Sequence, residues 1–229
     1  PLDYYRNLRV TNPSNYLYFY DFGDYQIIGA SPESLVSVKQ GQVTTNPIAG
    51  TRPRGQDERE DKSLAEELLA DEKEVAEHRM LVDLGRNDIG KIAQNNSVEV
   101  TKYMEVEYFR YVMHLTSVVR GQLLPQLTAM DALKSTLPAG TVSGAPKIRA
   151  MKRIYELEQE KRGVYAGAIG YLSATGDMDF AITIRTMVLK NGRAYVQAGA
   201  GIVYDSIPTN EYQETINKAK SMTKIGEMQ

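Results

Sequence analysis

The sequence predicts an α+β fold, with antiparallel sheets and helices packed on their outer faces, and three observations carry that expectation. Aromatic and β-branched runs alternate over residues 16–46 and again over 164–204, as half-buried strands do. Short connections at Gly23-Asp24, Thr175-Gly176-Asp177 and Asn191-Gly192 join neighbouring runs as hairpins rather than as strand–helix–strand crossovers. Between these blocks, and again at the end, apolar residues recur at a helical period.

Element by element, strands are expected near 16–22, 25–30, 34–38 and 42–46. The segment Pro47-Ile-Ala-Gly-Thr-Arg-Pro-Arg-Gly55 holds two prolines and two glycines, so it is expected as a loop and not as a helix interior or central strand. A charge-rich helix begins at 57 and its periodicity continues to Gly90 through Leu64, Leu68, Val75, Leu81, Leu84 and Ile89. Strands follow near 98–106 and 111–120. A helix over 129–136 stops before Leu137-Pro138. Pro146 opens another helix, whose stripe of Ile148, Met151, Ile154 and Tyr155 is expected to be buried. Three strands, 164–173, 179–189 and 193–204, then form a meander, and a helix over 209–224 follows Pro208. No repeat or linker divides the chain, so a single domain over 1–229 is expected.

Composition removes several classes of function. The 27 basic and 29 acidic residues leave a formal net charge of −2, without the basic excess that nucleic-acid binding requires. No apolar run approaches the ~20 residues that span a bilayer. There is no cysteine, hence no disulfide, thiolate metal site or cysteine nucleophile, which fits a reducing cytoplasm. Two histidines, His78 and His114, are too few for a multi-histidine zinc centre. The chain starts at Pro1 and reads as a fragment.

What remains points to a small carboxylated ligand. Glu74 and Glu77 lie three apart on one predicted helix, and Glu211 and Glu214 repeat the spacing on the last. Residues so spaced share a helical face, and an all-oxygen set suits a hard divalent cation, although solvated acidic faces would show the same spacing. His114 lies in a strand-like run as a core histidine or a proton carrier. Arg185 shares its strand face with Ala181 and Thr183, leaving room for a planar carboxylate or for solvent. Gln197-Ala-Gly-Ala-Gly-Ile-Val203 continues a strand with little side chain and could bring backbone amides to an anion or pack tightly. Thr141 and Ser143 precede a helix N-terminus, as anion ligands or as caps. Glu33, in Gly29-Ala-Ser-Pro-Glu33, is a carboxyl in an otherwise uncharged segment.

Taken together, seven blocks in order resemble the chorismate-utilising enzymes, and most closely their anthranilate-forming members of the component I type. The blocks are Ser31-Pro-Glu33, the 47–55 segment, Asp71-Glu-Lys-Glu-Val-Ala-Glu-His78 with Leu81-Val-Asp-Leu-Gly-Arg-Asn-Asp88, Val112-Met-His-Leu115, Gly140-Thr-Val-Ser-Gly-Ala-Pro146, Ala198-Gly-Ala-Gly-Ile-Val203, and Glu211 through Lys218. The resemblance implies the chorismate-binding fold, truncated at its N-terminus where family members carry a regulatory part. It implies conversion of chorismate and ammonia to anthranilate and pyruvate, the first step of tryptophan biosynthesis. Mg²⁺ is the implied cofactor, bound directly by Glu77 and Glu214 and through water by Glu74 and Glu211, with Lys218 adding positive charge. Tyr165, Arg185 and the amides of Gly199, Ala200 and Gly201 would hold the enolpyruvyl carboxylate. Glu33 matches the acid that protonates the departing C4 hydroxyl. His114 and Thr141 match residues lining the ring, His114 assisting the elimination steps.

Ala49 bears on which member is resembled. Aminodeoxychorismate synthases commonly carry a nucleophilic lysine there, and alanine leaves the attack on C2 to ammonia. That folate-pathway synthase and a catalytically silent fragment are the alternatives. The implied partner is a glutamine amidotransferase subunit. The isolated chain is expected to be weakly active or inactive, and an open sheet edge would favour self-association.

Overall fold

The computed structural model describes residues 1–223, which fall into two compact units. Pro1–Ser34, Thr141–Ile169 and the chain from Ala181 onward form the first; Leu35–Gly140 and Gly170–Phe180 form the second. In chain order the elements are α1 Leu2–Thr11, β1 Tyr16–Asp21, β2 Tyr25–Ser31, β3 Ser34–Lys39, β4 Gln42–Thr45, β5 Ile48–Pro53, α2 Glu58–Ala70, α3 Glu72–Gly90, β6 Glu99–Tyr108, β7 Val112–Gln122, α4 Ala129–Thr136, α5 Gly140–Ser143, α6 Lys147–Leu157, β8 Ala168–Leu172, β9 Met178–Ile182, β10 Thr186–Lys190, β11 Arg193–Val196 and α7 Pro208–Thr223. Position 224, which the sequence assigns to the last helix, lies outside the described residues. Among the described residues no helix is long and apolar enough to cross a membrane.

The first unit is built on an antiparallel sheet of order β1-β2-β10-β11. Its core joins Leu8 of α1, Ile28 and Ala30 of β2, Met187 of β10 and Met222 of α7. Helix α1 has no counterpart in the sequence reading. Tyr4, Tyr5 and Leu8 belong to the same aromatic-rich stretch as the strands, yet at helical spacing they cover this core. Gly29 stands opposite Tyr18 in the β1–β2 register. A Cβ at Gly29 would come within 2.2 Å of the Tyr18 ring. The missing side chain lets that ring cross the strand so that its hydroxyl meets Thr186 Oγ1 at 2.5 Å.

The second unit carries a sheet of order β5-β7-β4-β3-β9-β8, with β6 pairing the other edge of β7. Met113 and Leu115 of β7 pack against Ala65 and Leu68 of α2, with Val75 of α3 and Met104 and Val106 of β6 closing the cluster.

Four expectations are corrected here. The helical pattern over 57–90 is two helices, because Asp71 is extended (φ −73°, ψ 103°) and turns its carboxylate to the amides of Lys73 and Glu74 as the cap of α3. The 47–55 segment is a strand and not a loop: β5 pairs β7, with Gly50 at the bulge that lets two prolines bracket a paired stretch. The meander is broken at Arg185, whose φ of 49° ends one strand and re-aims the next, so β9 and β10 belong to different sheets; beyond Val196 the strand expected to 204 is irregular backbone. The apolar stripe of α6 is not buried. Ile148 is 67% and Tyr155 88% exposed, since periodicity fixes a helical face but not what covers it.

Candidate active site

In the first unit the site grows around Glu33, in the two-residue connection between β2 and β3. Its carbonyl accepts the Ile182 amide at 3.0 Å. Ser31 Oγ donates to the Ile182 carbonyl at 2.7 Å, so the connection is locked to the end of β9. Burial raises the Glu33 carboxyl to about 7, against the opposing pull of a Thr141 hydrogen bond and the charges of Lys218 and Arg185. Arg185, at the break between β9 and β10, accepts the Ala30 amide on its carbonyl at 3.0 Å. Burial lowers the proton affinity of its guanidinium, and Glu214, Glu33 and Tyr165 oppose that effect.

Tyr165 and Gly199 complete this cluster. Arg162 lies over the Tyr165 ring, 5.5 Å from its centroid, while gripping Glu158 and donating to the Val142 carbonyl at 2.6 Å. Burial is the main cause that raises the Tyr165 phenol. A Cβ on Gly199 would stand 2.8 Å from the Tyr165 hydroxyl, so a side chain there would displace the end of the Tyr165 ring. Lys218 donates to the Gly199 carbonyl at 3.2 Å and forms an ion pair with Glu214 one helical turn away. Its charge is therefore already partnered, and it serves a backbone carbonyl of the 199–201 segment. Ala200 and Gly201 follow in irregular backbone, and Glu211 lies in the first turn of α7.

In the second unit Glu74 and Glu77 stand one turn apart on α3, both half-buried. Gly50, at φ 68°, takes a conformation that side chains rarely adopt, and a Cβ there would come within 2.9 Å of Leu68 and 3.2 Å of Glu74 Oε2. The Gly50 carbonyl lies 2.9 Å from His114 Nδ1, and Thr51 Oγ1 lies 3.1 Å from the same nitrogen. A carbonyl oxygen only accepts, so in the neutral ring Nδ1 carries the proton and Nε2 keeps the lone pair. Phe109 packs its ring edge-on to His114 at 5.4 Å. Ala49 stands opposite Leu115 in the β5–β7 register.

Two arginines rivet β5 in place. Arg52 spans Glu67 at 2.8 Å and Asp71 at 2.9 Å, and Arg54 takes both oxygens of Asp61 and the Phe109 carbonyl. Asp71 thereby ties the strand of Ala49 to the cap of the helix bearing Glu74 and Glu77. The sequence reading missed these clamps and the Gly50–His114 bond. Arginines three and five places beyond Ala49 are their only local signal.

Among the described residues no group of three or more His, Asp or Glu side chains forms a metal-binding cluster. The donor chemistry of the two glutamate pairs nonetheless fits Mg²⁺. Each pair offers hard carboxylate oxygens from one helical face without a sulfur donor.

With this geometry the chain belongs to the chorismate binding enzymes, whose family description matches residues 1–224. Within that class it is 65% identical over 227 residues to "Anthranilate synthase component 1" of Lactococcus lactis, an alignment covering 99% of this chain and 50% of the relative. It is 58% identical to the protein of that name from Pseudomonas aeruginosa, over 97% of this chain and 45% of the relative. The crystal structure of anthranilate synthase component I from Streptococcus pneumoniae superposes with a TM-score of 0.91 at 83% identity, covering 97% of this chain and 49% of that one. The menaquinone-specific isochorismate synthase of Escherichia coli superposes with 0.79 at 29% identity, over 89% and 46%. The chain thus spans about half the length of these relatives.

Proposed function

We propose that the chain is the catalytic part of an anthranilate-forming enzyme that converts chorismate and ammonia to anthranilate and pyruvate, with Mg²⁺ as cofactor and a glutamine amidotransferase subunit as the ammonia source. The observation that carries this reading is the Glu33 cluster. A half-buried carboxyl that desolvation raises to about 7 keeps a proton near neutrality, beside a hydroxyl and two cationic side chains. That is the equipment for protonating a leaving hydroxyl on an anionic substrate.

In this reading Arg185 and Tyr165, with the amides of Gly199, Ala200 and Gly201, hold the enolpyruvyl carboxylate. Glu33 gives its proton to the C4 hydroxyl, which departs as water as ammonia bonds to C2, and Thr141 orients the acid. Ala49 offers no amine and leaves C2 to ammonia. His114, with Nδ1 committed to Gly50, accepts a proton on Nε2 in the elimination that releases pyruvate and makes the ring aromatic. Glu77 and Glu214 would hold Mg²⁺ directly and Glu74 and Glu211 through water, and a cation so held would supply positive charge to neutralise the ring carboxylate. A cytoplasmic setting, in keeping with a chain without cysteine, belongs to the same reading.

Calorimetric titration of the chain with chorismate, with and without Mg²⁺, tests it. Mg²⁺-dependent binding that Arg185→Ala abolishes is expected; no binding, or binding indifferent to both, overturns the reading. Anthranilate fluorescence on adding ammonium salts reads the product directly, and Ala49→Lys should divert the chain from free ammonia as nucleophile.

A further inference from the structure

His78 plays no part in the chemistry above, yet it is wholly buried. Its Nε2 lies 2.6 Å from Ser117 Oγ, and its Nδ1 is buried without a hydrogen-bond partner. A half-satisfied imidazole in a core costs stability compared with an apolar side chain of similar size. Packing alone therefore does not account for it.

Ser117 is where four elements meet. Its Oγ accepts the Met104 amide at 2.9 Å, and its own amide donates to the Pro47 carbonyl at 3.0 Å. Met104 has φ 57° and sits where the β6–β7 register shifts between Lys102 and Glu105, so the serine hydroxyl caps the bulge. Pro47 leads into β5, which carries Ala49 and Gly50. His78 reaches this junction from α3, where Glu77 is its immediate neighbour and Glu74 lies one turn before. On β7, His114 stands three residues ahead of Ser117.

We propose that His78 is a positioning residue: its hydrogen bond to Ser117 fixes the rotation and height of α3 on β7, and so sets where Glu74 and Glu77 stand relative to His114 and the Gly50 turn. The apolar side chains that α3 buries, Leu81, Val82 and Ile89, hold it to its neighbours by contacts that are not directional. One hydrogen bond of fixed length between buried groups adds direction, in the middle of the face that the Asp71–Arg52 clamp holds only at the helix start. The inference rests on the proposed role of Glu74 and Glu77 as cation ligands and adds the element that aims them.

Mn²⁺, a hard-oxygen probe with a paramagnetic signal, tests it on the intact chain. His78→Leu and Ser117→Ala are expected to weaken Mn²⁺ binding about tenfold or more, on the scale seen when groups that orient ligands are removed. The urea midpoint of His78→Leu should be no lower than that of the wild type, a combination that a purely structural role would not give. Gln places an amide near the Nε2 position, so His78→Gln should recover affinity to within about twofold. Hydrogen exchange at the Met104 amide should quicken in Ser117→Ala and stay protected in His78→Gln. Wild-type binding that His78→Leu and Ser117→Ala both retain overturns this inference alone. A wild-type chain that binds neither Mn²⁺ nor Mg²⁺ overturns the cation-ligand reading and this inference with it.

Discussion

The two units arrange ionisable groups by opposite means. In the first, Glu33, Arg185 and Tyr165 are half-buried, and desolvation is the leading cause of each shift in proton affinity. In the second, Glu74, Glu77 and His114 are equally half-buried, and fixed partners set their surroundings: the Asp71 cap, the Gly50 carbonyl and the two arginine–carboxylate clamps. The difference separates two tasks. A group that must hold a proton near neutral pH needs removal from water, whereas a group that must offer lone pairs in a set direction needs a rigid scaffold.

Substitutions in each unit separate the two means. Glu33→Gln should lower turnover, wherever anthranilate formation is measured, by about 10²- to 10⁴-fold, the usual contribution of a general acid. Its effect on stability has a definite sign. The folded-state pKa of about 7 lies above the ordinary 4.5, so between these values the native state binds more protons than the unfolded one. Stability from this group is therefore lost as pH rises through that window, and above pH 7 the ionised carboxylate costs about 1–3 kcal/mol. Urea unfolding should show Glu33→Gln more stable than wild type at pH 8, with the gain gone by pH 4.

Arg185→Ala should weaken chorismate binding about 100-fold or more in calorimetry, because a carboxylate would then enter a buried site without its fork. The same variant should raise the apparent pKa of Glu33, and an unmoved titration would show that the two groups are not coupled. Gly50→Ala should destabilise the chain by about 1–3 kcal/mol through its positive φ and its approach to Leu68 and Glu74, as read from the unfolding midpoint. It should also disturb His114 by moving the carbonyl that holds Nδ1. Tyr18→Phe is the control. It removes one buried hydrogen bond to Thr186 and should cost about 1 kcal/mol without changing ligand binding.

Particular residues show how far the sequence could be read. The limits of α4, 129–136, are legible residue for residue, and its Leu-Pro stop is a local signal. Glu33 is legible as the carboxyl of an otherwise uncharged segment, and seven ordered blocks carry the family resemblance. Asp71 was not legible as a break, since aspartate between helical runs reads equally as surface or as cap. Ile148, Met151 and Tyr155 have the spacing of a buried stripe and are nonetheless largely open to solvent. His78 and Ser117, 39 positions apart, share no local pattern at all.

By itself the sequence determined the donor inventory, the helical and strand periodicities and the family, because these depend on residue type and on spacings of a few positions. Only the tertiary structure decided that Glu33 holds its proton to about pH 7, that His114 keeps its lone pair on Nε2 and that the chain breaks at Arg185. Those properties come from burial and from hydrogen-bond partners far away in the chain. Ser31 meeting Ile182 across 151 positions is one such contact, and no local rule encodes it.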